Sequence, residues 1–314
     1  MKTVLVTGGA GFIGSHTADL LVKNNFHVII FDNLSTGKIT NLDLLHPHME
    51  FFQGDILDYR AIAKQVLRCD AVLHLAALPS VPMSIEDPIN TLKNNTQGFV
   101  HVLQAIREAQ KPIRLVYASS AAVYGSTAEL PCSDELLELS HAALSPYALE
   151  KINNEAYADL YSRLFGLNSL ALRYFNVYGP RQDPHSPYSG VISRFIDNYR
   201  QNKVITIWGD GKQSRDFISV YDIAAANVAA LQSDFTGVLN IATGVPETLT
   251  NLISYIEAVG GKSAEVNYLE ARIGDIRASY GSVIKAEKKL NFKYNTPLAE
   301  GIKHLMTHTV EKSL

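Results

Sequence analysis

Cysteine is scarce in this sequence, and its metal-binding residue types follow no metal-binding spacing. The two cysteines among 314 residues, Cys69 and Cys132, lie far apart in the chain. This usage is typical of reduced thiols in a cytoplasmic protein rather than of a metal site. The ten histidines form no His-x-x-x-His or cysteine-linked pattern. We therefore predict no metal site and a cytoplasmic location.

The sequence also lacks an excess of one charge and any long hydrophobic run. Charged residues make up 19% of the chain and the formal net charge is -3. This balance gives no reason to expect a polyanionic partner, so we predict no nucleic-acid binding. No apolar run approaches the ~20 residues that span a membrane. Because a strand-like segment begins at Lys2, we expect neither a membrane span nor a signal peptide.

What the sequence does have is a regular alternation of short β-branched runs and longer amphipathic stretches over its first 175 residues. With 46% hydrophobic residues, the chain is long and apolar enough to bury a large core. The alternation predicts an α/β fold with a doubly wound parallel sheet, a Rossmann fold, covered by helices on both faces. The predicted strands are Thr3–Thr7, His27–Phe31, Met49–Gln53, Ala71–Leu75, Ile113–Ala118 and Asn168–Leu172. The predicted helices are Phe12–Asn24, Tyr59–Leu67, Pro88–Ala109 and Pro146–Phe165.

The pattern changes after Tyr178. Residues 179–184 are typical of a long turn, and shorter helices and strands follow it, separated by glycine-rich breaks. We predict a Rossmann domain over residues 1–176, to which some later strands return. A smaller C-terminal α/β substrate-binding lobe is predicted over residues 177–314.

A glycine-rich turn, Gly8-Gly9-Ala10-Gly11-Phe12-Ile13-Gly14, joins the first strand to the first helix. Its glycines permit a tight turn, the approach of a pyrophosphate to the backbone, and close packing of helix on strand. The free N–H groups of the helix N-terminus then point at phosphates. Asp32, at the end of the second strand, can accept hydrogen bonds from ribose hydroxyls and would repel a 2′-phosphate. The sequence therefore predicts NAD rather than NADP.

Tyr147 and Lys151 share one face of the fourth predicted helix, because four steps of roughly 100° bring them nearly into register. Ser119 and Ser120 lie upstream, after the fifth predicted strand. An ammonium beside a phenol favours the ionised phenol, which could then act as a base for a hydroxyl group. We expect Lys151 to lower the pKa of Tyr147 in this way.

Together with further motifs, these features make the chain similar to the extended short-chain dehydrogenase/reductases, specifically the nucleotide-sugar 4-epimerases that act on UDP-N-acetylglucosamine or UDP-glucose. The resemblance runs from Val4 to about Leu305. Besides the glycine-rich turn, it rests on Asn94-Asn95, residues 119–125 (Ser-Ser-Ala-Ala-Val-Tyr-Gly), Tyr147-x-x-x-Lys151, residues 173–180 (Arg-Tyr-Phe-Asn-Val-Tyr-Gly-Pro) and Arg215-Asp216-Phe217.

The resemblance implies a reversible epimerisation through a 4-keto sugar. Tyr147 would remove the proton of the 4-hydroxyl while the C4 hydride passes to NAD⁺, and Ser120 would hydrogen-bond the 4-oxygen. Lys151 would hold the nicotinamide ribose. The keto sugar would rotate and take the hydride back on its other face. NAD is regenerated in each turnover, so we expect it to be tightly bound.

The resemblance also implies two sets of binding residues. The cofactor would contact Gly8, Gly11, Phe12, Ile13, Gly14, Asp32, Asn33, Ser35, Thr36, Gly37, Asp55, Ile56, Leu75, Ala76, Ala77, Asn95, Tyr147, Lys151 and Tyr174. The UDP-sugar would contact Ser80, Ser120, Tyr147, Asn176, Arg215, Arg272, Asp275 and Ser279. Within the second set, Asn176 and the two arginines would bind the diphosphate, and Asp275 would lie near the uridine ribose.

Ala121 and Ala122 bear on the outcome of the reaction. Related sugar dehydratases carry an Asp-Glu pair there, and related decarboxylases carry a glutamate in the same stretch. A methyl group can neither give nor take a proton, so the alanines argue against dehydration.

Ser279, seven residues after Arg272, matches the position that gates the space around the C2 substituent in these epimerases. A small residue there admits N-acetyl sugars, whereas a tyrosine restricts the pocket to UDP-glucose and UDP-galactose. Residues 78–84 also resemble a loop of UDP-N-acetylglucosamine 4-epimerases, although Met83 replaces the usual arginine. We therefore predict UDP-GlcNAc/UDP-GalNAc interconversion and leave activity on the non-acetylated pair open.

Three alternatives remain at this point. A shift of one residue in the alignment would place Tyr280 at the gate and make the protein a UDP-glucose 4-epimerase only. Arg181, Arg277 or His185 could instead accommodate the carboxylate of a UDP-uronate. A non-catalytic NAD-binding regulatory protein on the same fold is the alternative of a different class.

The resemblance further implies a homodimer joined by a four-helix interface, made of the helices around residues 90–109 and 146–165. Helical apolar spacing on the second of these fits such an interface, and packing on the chain's own sheet would explain part of it equally well. The residues concerned are Ala148, Ile152, Ala156, Leu160 and Leu164.

Overall fold

Strands and helices alternate along most of the chain in the structure, a computed structural model that describes residues 1–127, 129–135, 143–184, 190–271 and 276–308. The strands are β1 (Thr3–Thr7), β2 (His27–Asp32), β3 (Met49–Gln53), β4 (Ala71–His74), β5 (Arg114–Ser120), β6 (Ser169–Tyr174), β7 (Asn176–Tyr178), β8 (Ile205–Trp208), β9 (Ser214–Ser219), β10 (Gly237–Ile241), β11 (Pro246–Thr248), β12 (Val266–Leu269) and β13 (Ala278–Ser279). The helices are α1 (Phe12–Lys23), α2 (Tyr59–Val66), α3 (Val81–Glu86), α4 (Pro88–Leu92), α5 (Gly98–Glu108), α6 (Pro146–Phe165), α7 (Val191–Arg200), α8 (Val220–Gln232), α9 (Leu249–Gly260), α10 (Ile284–Leu290) and α11 (Leu298–His308).

The main sheet has seven strands in the order β10-β6-β5-β4-β1-β2-β3. All neighbouring strands are parallel. The order reverses between β1 and β4, and ligands of such sheets bind in the crevice at the carboxyl ends of the strands at this point. The predicted doubly wound parallel sheet is confirmed.

The alternation of side chains along the strands builds one hydrophobic core on each face of this sheet. Val4 and Val6 pack in the layer that contains α1 and α8. Leu5, between them, packs in the layer that contains α2 and α5. Because both faces are covered by helices, the strands carry apolar residues on both sides.

One late segment of the chain completes the main sheet. β10 pairs with β6 in register from Gly237↔Leu170 to Ile241↔Tyr174. α8, which precedes β10, shares the hydrophobic core of α1. Residues 220–241 thus return to the main sheet, as the sequence analysis allowed, and the domain boundary at residue 176 stays a prediction.

The remaining C-terminal elements form a smaller α/β unit with its own core. β9 pairs with β7, β11 and β13, and β8 pairs with β12. Their buried side chains pack with α7, α9 and α11, and among them are Phe195, Phe217, Ile256 and Ile302. None of the helices in the described ranges is long and apolar enough to cross a membrane.

Two local features differ from the prediction. The helix expected over residues 88–109 is interrupted, because a π-helical turn at Lys93–Gln97 separates α4 from α5. α3 begins within the segment expected as a loop over residues 78–84 and runs on to Glu86. Ser80 caps this helix by accepting a hydrogen bond from the N–H of Met83, and Pro82 lies in its first turn, which suits proline because N–H groups there lack helical partners.

Candidate active site

A cavity of about 670 Å³ lies at the carboxyl ends of the main-sheet strands and extends to residues 175–183. It brings together most of the residues that the sequence analysis assigned to the cofactor and to catalysis. Those that line it are Gly8, Gly11, Phe12, Ile13, Gly14, Asp32, Asn33, Ser35, Thr36, Ile56, Leu75, Ala76, Ala77, Ser120, Tyr147, Lys151 and Tyr174.

The glycine-rich turn leaves no room for side chains at two of its positions. Gly8 has a φ of 68°, and a Cβ there would stand 2.7 Å from the backbone nitrogen of Ala76. A Cβ on Gly14 would stand 2.2 Å from the carbonyl oxygen of Gly8. Gly11 is the N-cap residue of α1 and brings no side chain to the end of that helix. The N-terminus of α1 therefore faces the cavity with bare backbone, which suits a pyrophosphate.

Asp32 is the last residue of β2, beside this turn, and its carboxylate can still accept hydrogen bonds from a ribose. Its Oδ2 accepts from the N–H of Ala10 at 3.0 Å and its Oδ1 accepts from the N–H of Leu34 at 2.8 Å. Burial raises the pKa of the Asp32 carboxyl, against the lowering effect of these two bonds. A carboxylate has about four lone-pair sites, so both oxygens can accept further hydrogen bonds from hydroxyl groups. The cavity thus offers a dinucleotide the backbone N–H groups of the helix end and the carboxylate oxygens of Asp32.

Tyr147 lies in the first turn of α6, in contact with Ser120 at the end of β5. Ser145 caps α6 by accepting from the N–H of Ala148, and the hydroxyl of Ser84 accepts from the N–H of Tyr147 at 3.1 Å. The hydroxyl of Ser120 accepts from the N–H of Ala122 and hydrogen-bonds the Tyr147 side chain. The two side chains that were predicted to meet at the sugar 4-oxygen therefore lie together.

The predicted lowering of the Tyr147 pKa is wrong for the protein by itself. Burial raises the pKa of Tyr147 to about 12, and the hydrogen bond with Ser120 only partly offsets this. Lys151 Nζ lies 5.7 Å from the centre of the Tyr147 ring and donates to the carbonyl of Ala118 at 3.0 Å. Burial also lowers the pKa of Lys151, to about 8. Burial is the largest cause of both shifts.

Three predicted cofactor residues of the described part of the chain do not line the cavity, and two of them, Asp55 and Asn95, hydrogen-bond a neighbour that does. Gly37 packs closely on the glycine-rich turn, since a Cβ there would stand 2.9 Å from the carbonyl carbon of Ala10. Asp55 accepts at 3.0 Å from the side chain of Asn33. Asn95 hydrogen-bonds the N–H and the C=O of Leu78, at 2.7 and 3.1 Å.

The predicted sugar-nucleotide residues lie in several places. Ser80 caps α3 and is buried, whereas Asn176 is exposed at the start of β7. Arg215 and Ser279 are register partners on the adjacent strands β9 and β13. Except for Ser120 and Tyr147, the members of this set that the structure describes do not line the cavity. Arg272, Asp275 and His185 lie outside the described residues.

Sequence reasoning missed three charged groups at or beside the site. Lys38 Nζ and Asp183 Oδ2 both line the cavity and form an ion pair at 3.1 Å. Lys38 directly follows the predicted residue Gly37, which was a usable signal, but nothing in the sequence links it to Asp183. Glu150 is buried on α6 between Tyr147 and Lys151, and its place in the motif was the signal for it.

The turn, the buried Tyr147–Lys151 pair and the parallel sheet together define an NAD-dependent enzyme of the extended short-chain dehydrogenase/reductase type. The model of the NAD dependent epimerase/dehydratase family matches residues 4–242. The chain therefore belongs to that family, and the predicted resemblance is confirmed.

Similar proteins carry names of UDP-sugar 4-epimerases. A putative UDP-glucose 4-epimerase of Methanocaldococcus jannaschii is 41% identical over 308 residues, which are 96% of this chain and 97% of that protein. The structure of a UDP-N-acetylglucosamine 4-epimerase from Methanobrevibacter ruminantium, in complex with UDP-N-acetylmuramic acid, has a TM-score of 0.93 at 37% identity and 99% coverage of both chains. A Thermus thermophilus UDP-glucose 4-epimerase in complex with NAD has a TM-score of 0.87 at 33% identity, covering 99% of this chain and 100% of that one.

Proposed function

We propose that this protein is an NAD-dependent UDP-hexose 4-epimerase whose preferred pair is UDP-GlcNAc and UDP-GalNAc. The observation that carries the reaction type is the presence of Ser120, Tyr147 and Lys151 on the wall of one cavity with the glycine-rich turn. Ala121 and Ala122 follow Ser120 directly and supply no acid or base for an elimination. The reaction is therefore expected to end in epimerisation.

In the proposed mechanism, Tyr147 takes the proton of the sugar 4-hydroxyl and later returns it to the 4-oxygen. Ser120 is already hydrogen-bonded to the tyrosine, so its hydroxyl can hold the 4-oxygen beside the phenol. The positive charge of Lys151 offsets part of the desolvation cost of a buried Tyr147 phenolate. When bound, NAD supplies the hydride acceptor and donor and adds a positive charge, which lowers the cost of ionising Tyr147.

The surroundings of Ser279 support the choice of an N-acetylated sugar. Register partners on adjacent parallel strands point to the same face, and successive residues point to opposite faces. Ser279 therefore shares a face with Arg215, the residue predicted to bind the diphosphate, whereas Tyr280 lies beyond the end of β13. A serine leaves space that a tyrosine would fill, and similarity to the M. ruminantium enzyme agrees with this choice.

The described arginines do not favour the uronate alternative. Arg181 pairs with Asp19 at 2.9 Å, and Arg277 pairs with both oxygens of Asp210, at 2.6 and 3.0 Å. Both cations are therefore matched by carboxylates of the chain itself.

The test is incubation of the purified protein with UDP-GlcNAc, UDP-glucose or UDP-glucuronate, without added NAD, followed by separation of the C4 epimers. We expect the highest kcat/KM for UDP-GlcNAc. A strong preference for UDP-glucose would contradict the assignment of Ser279, and no epimer from any of the three would contradict the function. Release of NAD on denaturation of the purified protein checks the proposal of a tightly bound cofactor.

We further propose a homodimer in the cytoplasm. Apolar side chains remain exposed on α4 and α6, among them Ile89, Leu92, Leu160 and Leu164, which supports a helix-to-helix interface. Of the residues whose spacing suggested this interface, Ala148 is buried and packs inside the chain, whereas Ala156 is exposed. The free thiols Cys69 and Cys132 support the location.

A further inference from the structure

Glu150 is a buried carboxylate that lies, in sequence, between Tyr147 and Lys151, the two central residues of the proposed reaction. It is three residues after Tyr147 and one before Lys151 on α6, and only 2% of its surface is exposed. A buried charge is costly unless it is paired and hydrogen-bonded. A role at the surface therefore does not explain Glu150. Its hydrogen-bond partners show which part of the structure it positions.

Both oxygens of Glu150 accept hydrogen bonds from the interrupted helix opposite. Oε1 accepts from the hydroxyl of Thr91 at 2.8 Å, and Oε2 accepts from the side-chain amide of Asn95 at 2.6 Å. Thr91 belongs to α4, and Asn95 belongs to the π-helical turn that follows it. Both partners are buried, so the three side chains form a closed polar contact between the two helices.

Asn95 links Glu150 to the wall of the cavity. The oxygen of its amide accepts from the N–H of Leu78, and its NH₂ group donates to the C=O of Leu78 as well as to Glu150. Leu78 and Pro79 form part of the cavity wall. The carboxylate therefore fixes the orientation of the amide that holds this wall.

The charge of Glu150 acts on the same two reactive groups. It raises the pKa of Tyr147, which burial also raises. It raises the pKa of Lys151 as well, although burial lowers that pKa more strongly. The other ionisable groups near Lys151 are Glu155 on α6, itself paired with Arg173 of β6, and His74 of β4. Of these groups, Glu150 acts on the pKa values of both Tyr147 and Lys151.

We propose that Glu150 is a positioning residue of the reaction, which fixes the Leu78–Pro79 wall through Asn95 and sets the charge balance between Tyr147 and Lys151. This rests on the proposed function. The two roles are separable, because glutamine has the shape of glutamate without its charge. A glutamine at residue 150 can accept from Asn95 with its oxygen and donate to the hydroxyl of Thr91 with its NH₂ group.

The first experiment compares Glu150→Gln with Glu150→Ala in the NAD-loaded protein. Since Glu150→Gln keeps both contacts, we expect its KM for the UDP-sugar to stay close to that of the unmodified protein. Glu150→Ala leaves the Asn95 amide without its acceptor, so we expect KM to rise roughly tenfold. An unchanged KM in Glu150→Ala would overturn the positioning of the wall.

The second experiment measures the pH dependence of kcat/KM in Glu150→Gln. Loss of the negative charge lowers the pKa of Tyr147 and that of Lys151 together, so both limbs of the profile should move to lower pH by roughly one unit. A structural defect alone would lower the rate at every pH and leave the limbs in place. Limbs that stay in place would overturn the electrostatic role.

A readout independent of turnover is the NMR titration of the ¹³Cε resonance of Lys151, assigned by its loss in Lys151→Met. The pKa measured in this way should fall in Glu150→Gln. The matched control is Asp222→Asn, which neutralises a buried carboxylate on α8 that accepts from the N–H groups of Asn295 and Thr296. An equal shift in the control would also overturn the proposal. Inactivity of the unmodified protein on every UDP-hexose would instead contradict the proposed function, while the NMR titration would still test the charge of Glu150.

Discussion

Tyr147 is the single side chain on which the proposed reaction depends most directly. Tyr147→Phe removes the proton acceptor and keeps the ring that fills the wall of the cavity. We expect kcat to fall by roughly 10²- to 10⁴-fold, the usual contribution of a positioned acid–base group, while the protein still binds NAD and UDP. Rates of epimer formation and equilibrium binding of both ligands are the measurements.

The control for this substitution lies on the same helix. Tyr161 on α6 donates a hydrogen bond at 3.3 Å to Gln104, away from the cavity. Tyr161→Phe should therefore keep nearly full activity. Equal activity of Tyr147→Phe and Tyr161→Phe would remove Tyr147 from the mechanism.

At this scale, spacing alone could predict that Tyr147 and Lys151 share a helix face. It could not predict the pKa of either group, because desolvation depends on the layers packed around α6. The position of Ser84 against the N–H of Tyr147 is an example. The resemblance could identify Ser120 as a partner, since its place after β5 is part of the motif.

At the scale of elements, the ion pair between Lys38 and Asp183 joins two loops across the cavity wall. The loops are separated by 145 residues in the sequence, and Arg181 and Pro180 fasten the second loop to α1 through Asp19 and His16. An exposed ion pair contributes about 0.2–1 kcal/mol, so Lys38→Ala should release NAD up to about fivefold faster. Stopped-flow or filter-based measurement of NAD release is the check.

Salt and charge reversal distinguish an ion pair from a packing effect. Added salt screens exposed charges, so it should accelerate NAD release from the unmodified protein and have less effect on Lys38→Ala. The double exchange Lys38→Asp with Asp183→Lys should restore slow release. If release is equally fast in the double exchange and the single substitution, the ion pair does not retain the cofactor.

Several elements could be predicted with almost their observed bounds, because strong apolar runs and caps define them. β1, β3 and α6 match the prediction at both ends. The π-helical turn could not be predicted, because it is stabilised by contacts with α6 and Leu78 that lie far away in sequence.

At the scale of the whole molecule, the exposed apolar face of α4 and α6 predicts self-association. Leu164 is 61% exposed on α6. Leu164→Glu should place a charge in the proposed interface and shift the protein toward monomer, as measured by sedimentation velocity. Leu45→Glu is the control, since Leu45 is 96% exposed in the loop before β3. A monomer in the unmodified protein would refute the dimer.

The overall architecture followed from the alternation of strands and helices, but the partner of β10 did not. A short apolar segment such as β10 is predicted to pair in a sheet, but its sequence does not identify the strand with which it pairs. Here β6 supplies that edge, and α8 covers α1 beside it. The topology of the late segment therefore had to come from the structure.

The return of residues 220–241 to the main sheet has a consequence for how the protein is synthesised. Until the ribosome has delivered Ile241, β6 remains an unpaired edge and the outer side of α1 remains without its cover. A nascent or truncated chain that stops near residue 176 thus exposes the unpaired backbone N–H and C=O groups of β6, which can pair with another chain. The nucleotide-binding half cannot be finished before most of the other half has been translated, which ties maturation of the two halves into one event.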